Sequence, residues 1–350
     1  MDQSQKPPIK PETEWGWKGP TVIEIAKESG VGTATVDRVL NGRNSVRDVT
    51  RRKVLDALAR LGGRGETPGG STLRRIAFVS DSGVSFNRTL EETVQDYCAD
   101  QTDMECPFHG VTTSQVDIIK LAQMIERAAE NADGLVVVAR EDLMVNRALR
   151  NVAGRRIPVI CLTTDLPNSG RTAYVGSDQT NAGATAAYLM GQVVGARPGK
   201  ILLVYSAPYR GQEERELGFR RVLRSEFSHL EVDERVHSND DTQQVYGNVL
   251  RYIKDQGAPV GIYNVAAGNI GIGKALKDLE LVGKVTFIGH ELNANSRTLL
   301  ESGIMQFAIG HDVDREVALS LEYMRAYLDK QATPTPRPTQ VRVYTKYSCN

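Results

Sequence analysis

Apolar residues recur at helical spacing in the segment TVIEIAKESGVGTATVDRVL, residues 21–40, where Ile23, Ile25, Val31, Val36, Val39 and Leu40 form the apolar faces. Ala26, Gly30 and Val36 stand at offsets 0, 4 and 10. That spacing places a small residue where two helices cross and a residue tolerant of positive φ in the turn, then an aliphatic facing inward. It predicts a helix-turn-helix whose outward residues are Thr33, Ala34, Thr35, Asp37 and Arg38. A polar loop, NGRNSVR, leads to a third predicted helix over residues 48–61, with Val54, Leu55, Leu58 and Leu61 on one face. An ordinary helical hairpin with Gly in its turn also fits the bare Ala-x3-Gly pattern.

Beyond residue 75 the pattern changes to alternating strands and helices. Continuous apolar runs occupy residues 76–79, 135–139, 159–162, 201–204, 260–265 and 285–288. Amphipathic stretches lie between them, such as residues 115–129 with Ile118, Ile119, Ala122, Ile125 and Ala129 on one side, and residues 181–189. Runs buried on both faces and repeated with helices imply parallel sheets covered by helices. Some 275 residues exceed one such unit, and the pattern restarts near Gly199. The expected fold is an all-α headpiece followed by two doubly wound parallel-sheet lobes, with ligands bound at the carboxyl ends of the strands.

Charge sharpens this division. Residues 18–64 hold ten Lys/Arg against five Asp/Glu, net +5, whereas the whole chain of 350 residues is net zero. The stretch from Gly65 onward is net −4. A basic head on an acidic body is the electrostatic footprint of a nucleic-acid reader. The N-terminus, MDQSQKPPIKPETEWGWKGP, is polar and proline-rich without an apolar core, so a disordered tail is expected over residues 1–17 rather than a signal peptide. Trp15 and Trp17 are unusual in such a tail. Residues 62–74, GGRGETPGGSTLR, read as a linker. No apolar run reaches the ~18 residues of a membrane span. Cys98, Cys106, Cys161 and Cys349 have neither Cys-x-x-Cys nor metal-ligand spacing, which points to reduced thiols, a cytoplasmic setting and no metal.

The run GVGTATVDRVLNGRNSVRDVTRRKVLDALARLG, with its T-V-x-R-V-L-N-G core, resembles the headpiece of the lactose-repressor (LacI/GalR) family of bacterial transcription regulators. The resemblance implies that Thr33, Ala34 and Arg38 lie at base edges, with Arg38 donating to a guanine. It places Thr35 and the polar residues around Asn41 near phosphates. Asp37 stands where a small polar residue is usual; it fits an acceptor from cytosine or an orienter of Arg38. The family's hinge helix between the modules usually opens with Pro-Asn, which residues 64–74 lack; Leu73 is the candidate minor-groove wedge.

The second region resembles the sugar-binding periplasmic-type fold that this family joins to its headpiece. The resemblance implies effector contacts from Phe86, Arg140, Asp165, Asp178, Arg215, Asn264, Glu291 and His311, each after a strand. Glu291 replaces the usual Asp and His311 the usual Gln. Several of these residues have plainer roles open to them: Asp178 as a helix cap, Arg140 and Arg215 as surface charges, His311 as a hydrogen-bonded structural residue. Lobe 1 is expected over residues 75–178 and 312–332, and lobe 2 over residues 179–311 and 333–350. The implied protein is a homodimeric cytoplasmic repressor. It would bind a pseudo-palindromic DNA operator and respond to a sugar, polyol or sugar acid, needing no cofactor.

Two other classes compete. An enzyme would need a cofactor or nucleophile motif. GNIGIGK over residues 268–274 lacks both the P-loop spacing and the Ser/Thr after its Lys, since Ala275 follows, and no Gly-x-Ser-x-Gly or His-Glu-x-x-His occurs. Glycines that let a helix start tightly against its strand explain the segment. A solute-binding protein without DNA function would not need the basic headpiece.

Overall fold

Thr21 starts the first helix, α1 (Val22–Ser29), in this computed structural model, which describes residues 20–40, 46–61, 73–333 and 335–349. Its side chain accepts the Glu24 backbone N–H while the Glu24 carboxylate takes the Thr21 N–H, a reciprocal capping box. Gly30 ends α1 with φ 66°, returning its N–H to the Ala26 carbonyl. That left-handed residue turns the chain into α2 (Thr33–Leu40); α3 (Asp48–Arg60) completes the unit. The small core is Ile25, Val36, Val39, Val54, Ala57 and Leu58, with Val22, Ala26, Val31 and Leu40 at its edge. Three expected core positions differ. Ile23 is 72% exposed, and Leu55 and Leu61 also face outward. Val22 and Ala57 take the inward directions, because three short helices enclose only a narrow stripe on each.

Residues 74–350 form a separate unit built on two sheets. The first lobe runs β1 (Arg74–Ser82), α4 (Val84–Ala99), β2 (Met104–Glu105), β3 (Phe108–Thr112), α5 (Ile118–Ala128), β4 (Gly134–Val138), α6 (Leu143–Gly154), β5 (Val159–Leu162) and β6 (Ala173–Val175). Its sheet is parallel throughout, in the order β2-β1-β4-β5-β6 with β3 also on β1. The second lobe runs α7 (Gln179–Val194), β7 (Gly199–Tyr205), α8 (Arg210–Glu226), β8 (Leu230–His237), α9 (Thr242–Gln256), β9 (Gly261–Asn264), α10 (Asn269–Asp278), β10 (Thr286–His290), α11 (Ala294–Glu301) and β11 (Phe307–Gly310). The chain then returns through α12 (Val313–Leu328), which packs on β5 and β6, and ends on β12 (Arg342–Tyr344). The second sheet, β12-β11-β10-β9-β7-β8, is parallel except for the antiparallel edge strand β12.

Each lobe is a sheet with an apolar cluster on either face, as strands buried on both sides require. The expected helix over residues 115–129 is shorter than its pattern. Asp117 caps α5 through the N–H groups of Ile119 and Lys120, so the turn before it stays separate. Ile119 is consequently exposed, and Leu121 takes the inward position beside Ala122 and Ile125.

Three crossovers join the lobes: residues 176–178, residues 311–312 and the return from α12 to β12. Two of them touch through a bridge between Ser177 and Thr339, with the Thr339 N–H donating to the Gly176 carbonyl at 2.9 Å. The glycine-rich segment beginning at Gly268 starts α10 with φ 92°. A Cβ on Gly271 would meet the Thr242 carbonyl oxygen at 2.4 Å, so glycine there allows α10 to lie close to α9.

Candidate functional site

A cavity lies between the lobes where the carboxyl ends of the strands converge, lined by Ser82, Phe86, Thr163, Tyr209, Arg215, Asp240 and Glu291. It continues outward past Val84, Thr112, Asp241, Asn269 and His290. Strand ends meet there because parallel strands deliver all their following loops to one edge. Four residues around it hold left-handed backbone despite carrying side chains: Thr163 (φ 62°), Asn239 (φ 47°), Asp240 (φ 55°) and Glu291 (φ 67°). Such conformations persist where surrounding structure enforces them, and they gather at ligand clamps.

Arg215 reaches the cavity from α8, which crosses α7 almost backbone to backbone. A Cβ on Gly218 would stand 1.9 Å from the Thr180 carbonyl oxygen. Arg215 donates to Gln179 Oε1 at 2.7 Å and to the Val265 carbonyl at 2.9 Å, and its remaining nitrogen lies 3.6 Å from Glu291. Glu291 in turn stands 3.2 Å from His311 Nε2, and His311 Nδ1 stands 2.8 Å from Glu316. These are ion-pair contacts whose N–H angles fall short of hydrogen-bond geometry. Burial alone would depress the His311 imidazole, but the Glu316 and Glu291 carboxylates outweigh it and raise it well above its ordinary range. Burial would raise Glu291; His311 and Arg215 prevail and lower it.

This chain of charges ends at the hinge. Glu316, fully buried on α12, also accepts the hydroxyls of Thr163 at 3.3 Å and Thr339 at 2.5 Å. His311 itself sits on a crossover. One imidazole therefore links a carboxylate facing the cavity to a carboxylate held by the interlobe segments.

On the other wall, Arg140 is turned into the protein. It grips buried Asp81 with two nitrogens, at 2.6 and 2.9 Å, and donates to the Thr113 carbonyl. Tyr209, from the second lobe, donates to Asp81 at 2.8 Å and contacts the Thr113 hydroxyl at 2.8 Å. Burial first, and the Asp81 charge second, raise the Tyr209 phenol well above its usual value, so it remains a donor. Further ties between the lobes run from Gly211 N–H to Thr164 and from Glu141 N–H to the Pro208 carbonyl.

Of the eight expected effector residues, Phe86, Arg215 and Glu291 line the cavity, and His311 lies directly behind Glu291, with its ring 6.2 Å from that of Phe86. Arg140 is one layer away, held by Asp81. The remaining three are turned elsewhere. Asp165 is ion-paired with Arg171, and Asp178 caps α7 through the Asn181 N–H. Asn264 is fully buried, bonding the Ala267 carbonyl and Asn269. Each is held by a local partner. Sequence reasoning missed Asp81, Tyr209, Asp240 and Glu316. Asp240 had a usable signal, since it follows a strand, but β8 (LEVDERVH) is an edge strand with alternating polar residues and no apolar run.

In the first unit, Thr33, Ala34, Asp37 and Arg38 are exposed on α2 and Thr35 is half-buried, while Val36 and Val39 point into the core. The outward face of α2 therefore carries Thr33, Ala34 and one opposite-charge pair of residues, Asp37 and Arg38. Asn41, Trp15, Trp17 and the hinge expected over residues 64–74, apart from Leu73 and Arg74, lie outside the described residues. Leu73 is 57% exposed.

The chain thus joins a helix-turn-helix unit to a two-lobed α/β unit with a cavity between its lobes. The chain belongs to the periplasmic binding protein domain family, which it matches over residues 76–332, and residues 21–62 match the bacterial regulatory proteins of the lacI family. Over 41 residues the chain is 49% identical to catabolite control protein A of Streptococcus mutans, covering 12% of each chain. It is 48% identical over 44 residues to the protein of that name from Priestia megaterium, covering 13% of each. The chain thus spans about an eighth of the curated relatives it matches. The fold of the larger unit is that of a glucose-galactose binding protein from Geobacillus stearothermophilus (18% identity, TM-score 0.70, 78% of this chain and 98% of that one). It is equally that of a transporter solute-binding protein from Agrobacterium vitis with bound D-fucose (21% identity, TM-score 0.72, 78% and 96%).

Proposed function

We propose that this chain is a lacI-type transcriptional regulator whose DNA affinity is set by a small polar effector held between the two lobes. The observation that carries the reading is the union in one chain of a helix-turn-helix unit, within the basic stretch of residues 18–64, with an interlobe cavity lined by a guanidinium, carboxylates, hydroxyls and an aromatic ring. Arg38 is its guanine donor, with Thr33 and Ala34 beside it and Thr35 and Asn41 toward phosphates. Phe86, Arg215 and Glu291 contact a sugar or sugar derivative, Phe86 against its apolar face and the charged pair against its hydroxyls. Arg140 and His311 support them from the second layer. Effector binding favours one arrangement of the lobes and so shifts operator affinity.

A homodimer on a pseudo-palindromic operator and a cytoplasmic location complete the proposal. Among the described residues no helix is long and apolar enough to cross a membrane. Binding, rather than catalysis, is the activity expected.

The test is fluorescence anisotropy of the full chain on duplex DNA selected from a randomised pool, with and without sugars, across ionic strengths. Affinity should fall steeply with salt and change when a sugar is added. Arg215→Ala and Glu291→Ala should remove the sugar response while preserving DNA affinity. A flat salt response would leave a solute-binding protein without DNA function.

A further inference from the structure

Charge constrains what this cavity can hold. Its described lining carries three carboxylates, Asp240, Asp241 and Glu291, against one guanidinium, Arg215. Arg215 is already engaged by Gln179, Val265 and Glu291. His290, also in the lining, is held neutral, because burial first and the neighbouring Arg215 and His311 charges second keep its proton off. Asp241 caps α9 through the Gln244 N–H at 2.7 Å. That leaves Asp240.

Asp240 accepts the Ala267 N–H at 3.1 Å on one oxygen and the Thr113 hydroxyl at 2.9 Å on the other, so it touches both lobes. Among the described residues no Lys, Arg or His forms an ion pair with it. Arg140, on the wall that carries Thr113, is committed to Asp81. Removing a carboxylate from water without a cationic partner is costly, and burial accordingly raises the Asp240 carboxyl against the pull of its hydrogen bonds. A ligand that brings a positive charge would neutralise it, whereas a ligand carboxylate would face three others.

Resting on the reading of this cavity as the effector site, we infer that its ligand is a polyhydroxylated compound bearing a protonated amine, whose ammonium seats against Asp240. The hydroxyls meet Arg215 and Glu291, and Phe86 covers the apolar face. The ammonium donates to a carboxylate contacted by both lobes, so it is bound best when they are together. A sugar acid is disfavoured by the same charges.

Isothermal titration of the full chain with matched amino, neutral and acid forms of two hexoses tests this. The probes are D-glucosamine, D-glucose and D-glucuronate, then D-galactosamine, D-galactose and D-galacturonate. In at least one set the amine should bind tenfold or more tightly than the neutral sugar, and the acid most weakly. In Asp240→Asn the ratio of amine to neutral affinity should collapse toward one. A ratio compares two ligands on the same folded protein, so partial misfolding does not imitate it. Neutral sugars binding as tightly as amines, acids binding best, or an amine preference that survives Asp240→Asn would each overturn the inference and leave the cavity an effector site. Silence from all six would remove that reading together with the inference.

Discussion

A Cβ added to Gly183 would stand 1.8 Å from the main-chain oxygen of Arg215. The closeness of α7 and α8 at this point is what brings the Arg215 side chain to Gln179 and Glu291. Gly183→Ala must separate the helices, at a cost of about 1–3 kcal/mol for an overpacked contact. The expected result is a lower melting temperature of the larger unit together with weaker effector binding, measured by calorimetry on the same samples. Normal effector affinity in the variant would mean that Arg215 does not depend on this crossing.

Arg38 is exposed on α2 while its neighbours Val36 and Val39 are buried, so it can be removed without disturbing the headpiece core. Arg38→Ala should reduce discrimination between selected and random duplexes by about 1–3 kcal/mol, the worth of a bidentate base contact. Competition anisotropy reads this directly. The melting of the larger unit should not move.

His311 predicts a pH dependence with a definite sign. Its folded value lies well above the ordinary 6.5, so its stabilisation is complete below about 6.5 and is lost as pH rises through the folded value. Glu291 is lowered from 4.5, so its contribution holds above that pH and is lost as pH falls through its folded value. The contributions of these two groups therefore coexist from about pH 5 to 6.5, and that of His311 weakens through the alkaline range. Thermal melts of wild type and His311→Gln should converge as pH rises. A constant gap would detach the imidazole charge from stability.

The fold was legible in the sequence where burial acts on both faces of a strand, because β1, β4, β5, β7, β9 and β10 are apolar runs. β8 was not, since an edge strand has fewer covered residues and its pattern dissolves into alternating charge. Its loss concealed Asp240 at its end. The family resemblance supplied Arg215 and Glu291, but it ranks every expected contact alike. It could not separate Glu291, which faces the cavity, from Asp165, which turns to Arg171 six residues on. Glu316 was beyond reach for another reason: it lies within a helix, and only the convergence of two crossovers, at His311 and Thr339, gives it a role.

Thr21 offers a test of whether local helix stability limits recognition. The headpiece core contains six buried side chains, so each terminus of its short helices carries a large share of its stability. The Thr21 hydroxyl accepts the Glu24 N–H at 3.3 Å, and Thr21→Ala removes one half of the reciprocal cap. The usual cost is about 0.5–2 kcal/mol. In a unit this small that should unfold a measurable fraction of headpieces near physiological temperature, and DNA affinity should fall alike for all duplex sequences. Thr21→Ser, which keeps the hydroxyl, should restore it. Sugar binding should be unchanged in both variants. A loss confined to selected duplexes would place Thr21 at the DNA rather than at the helix end.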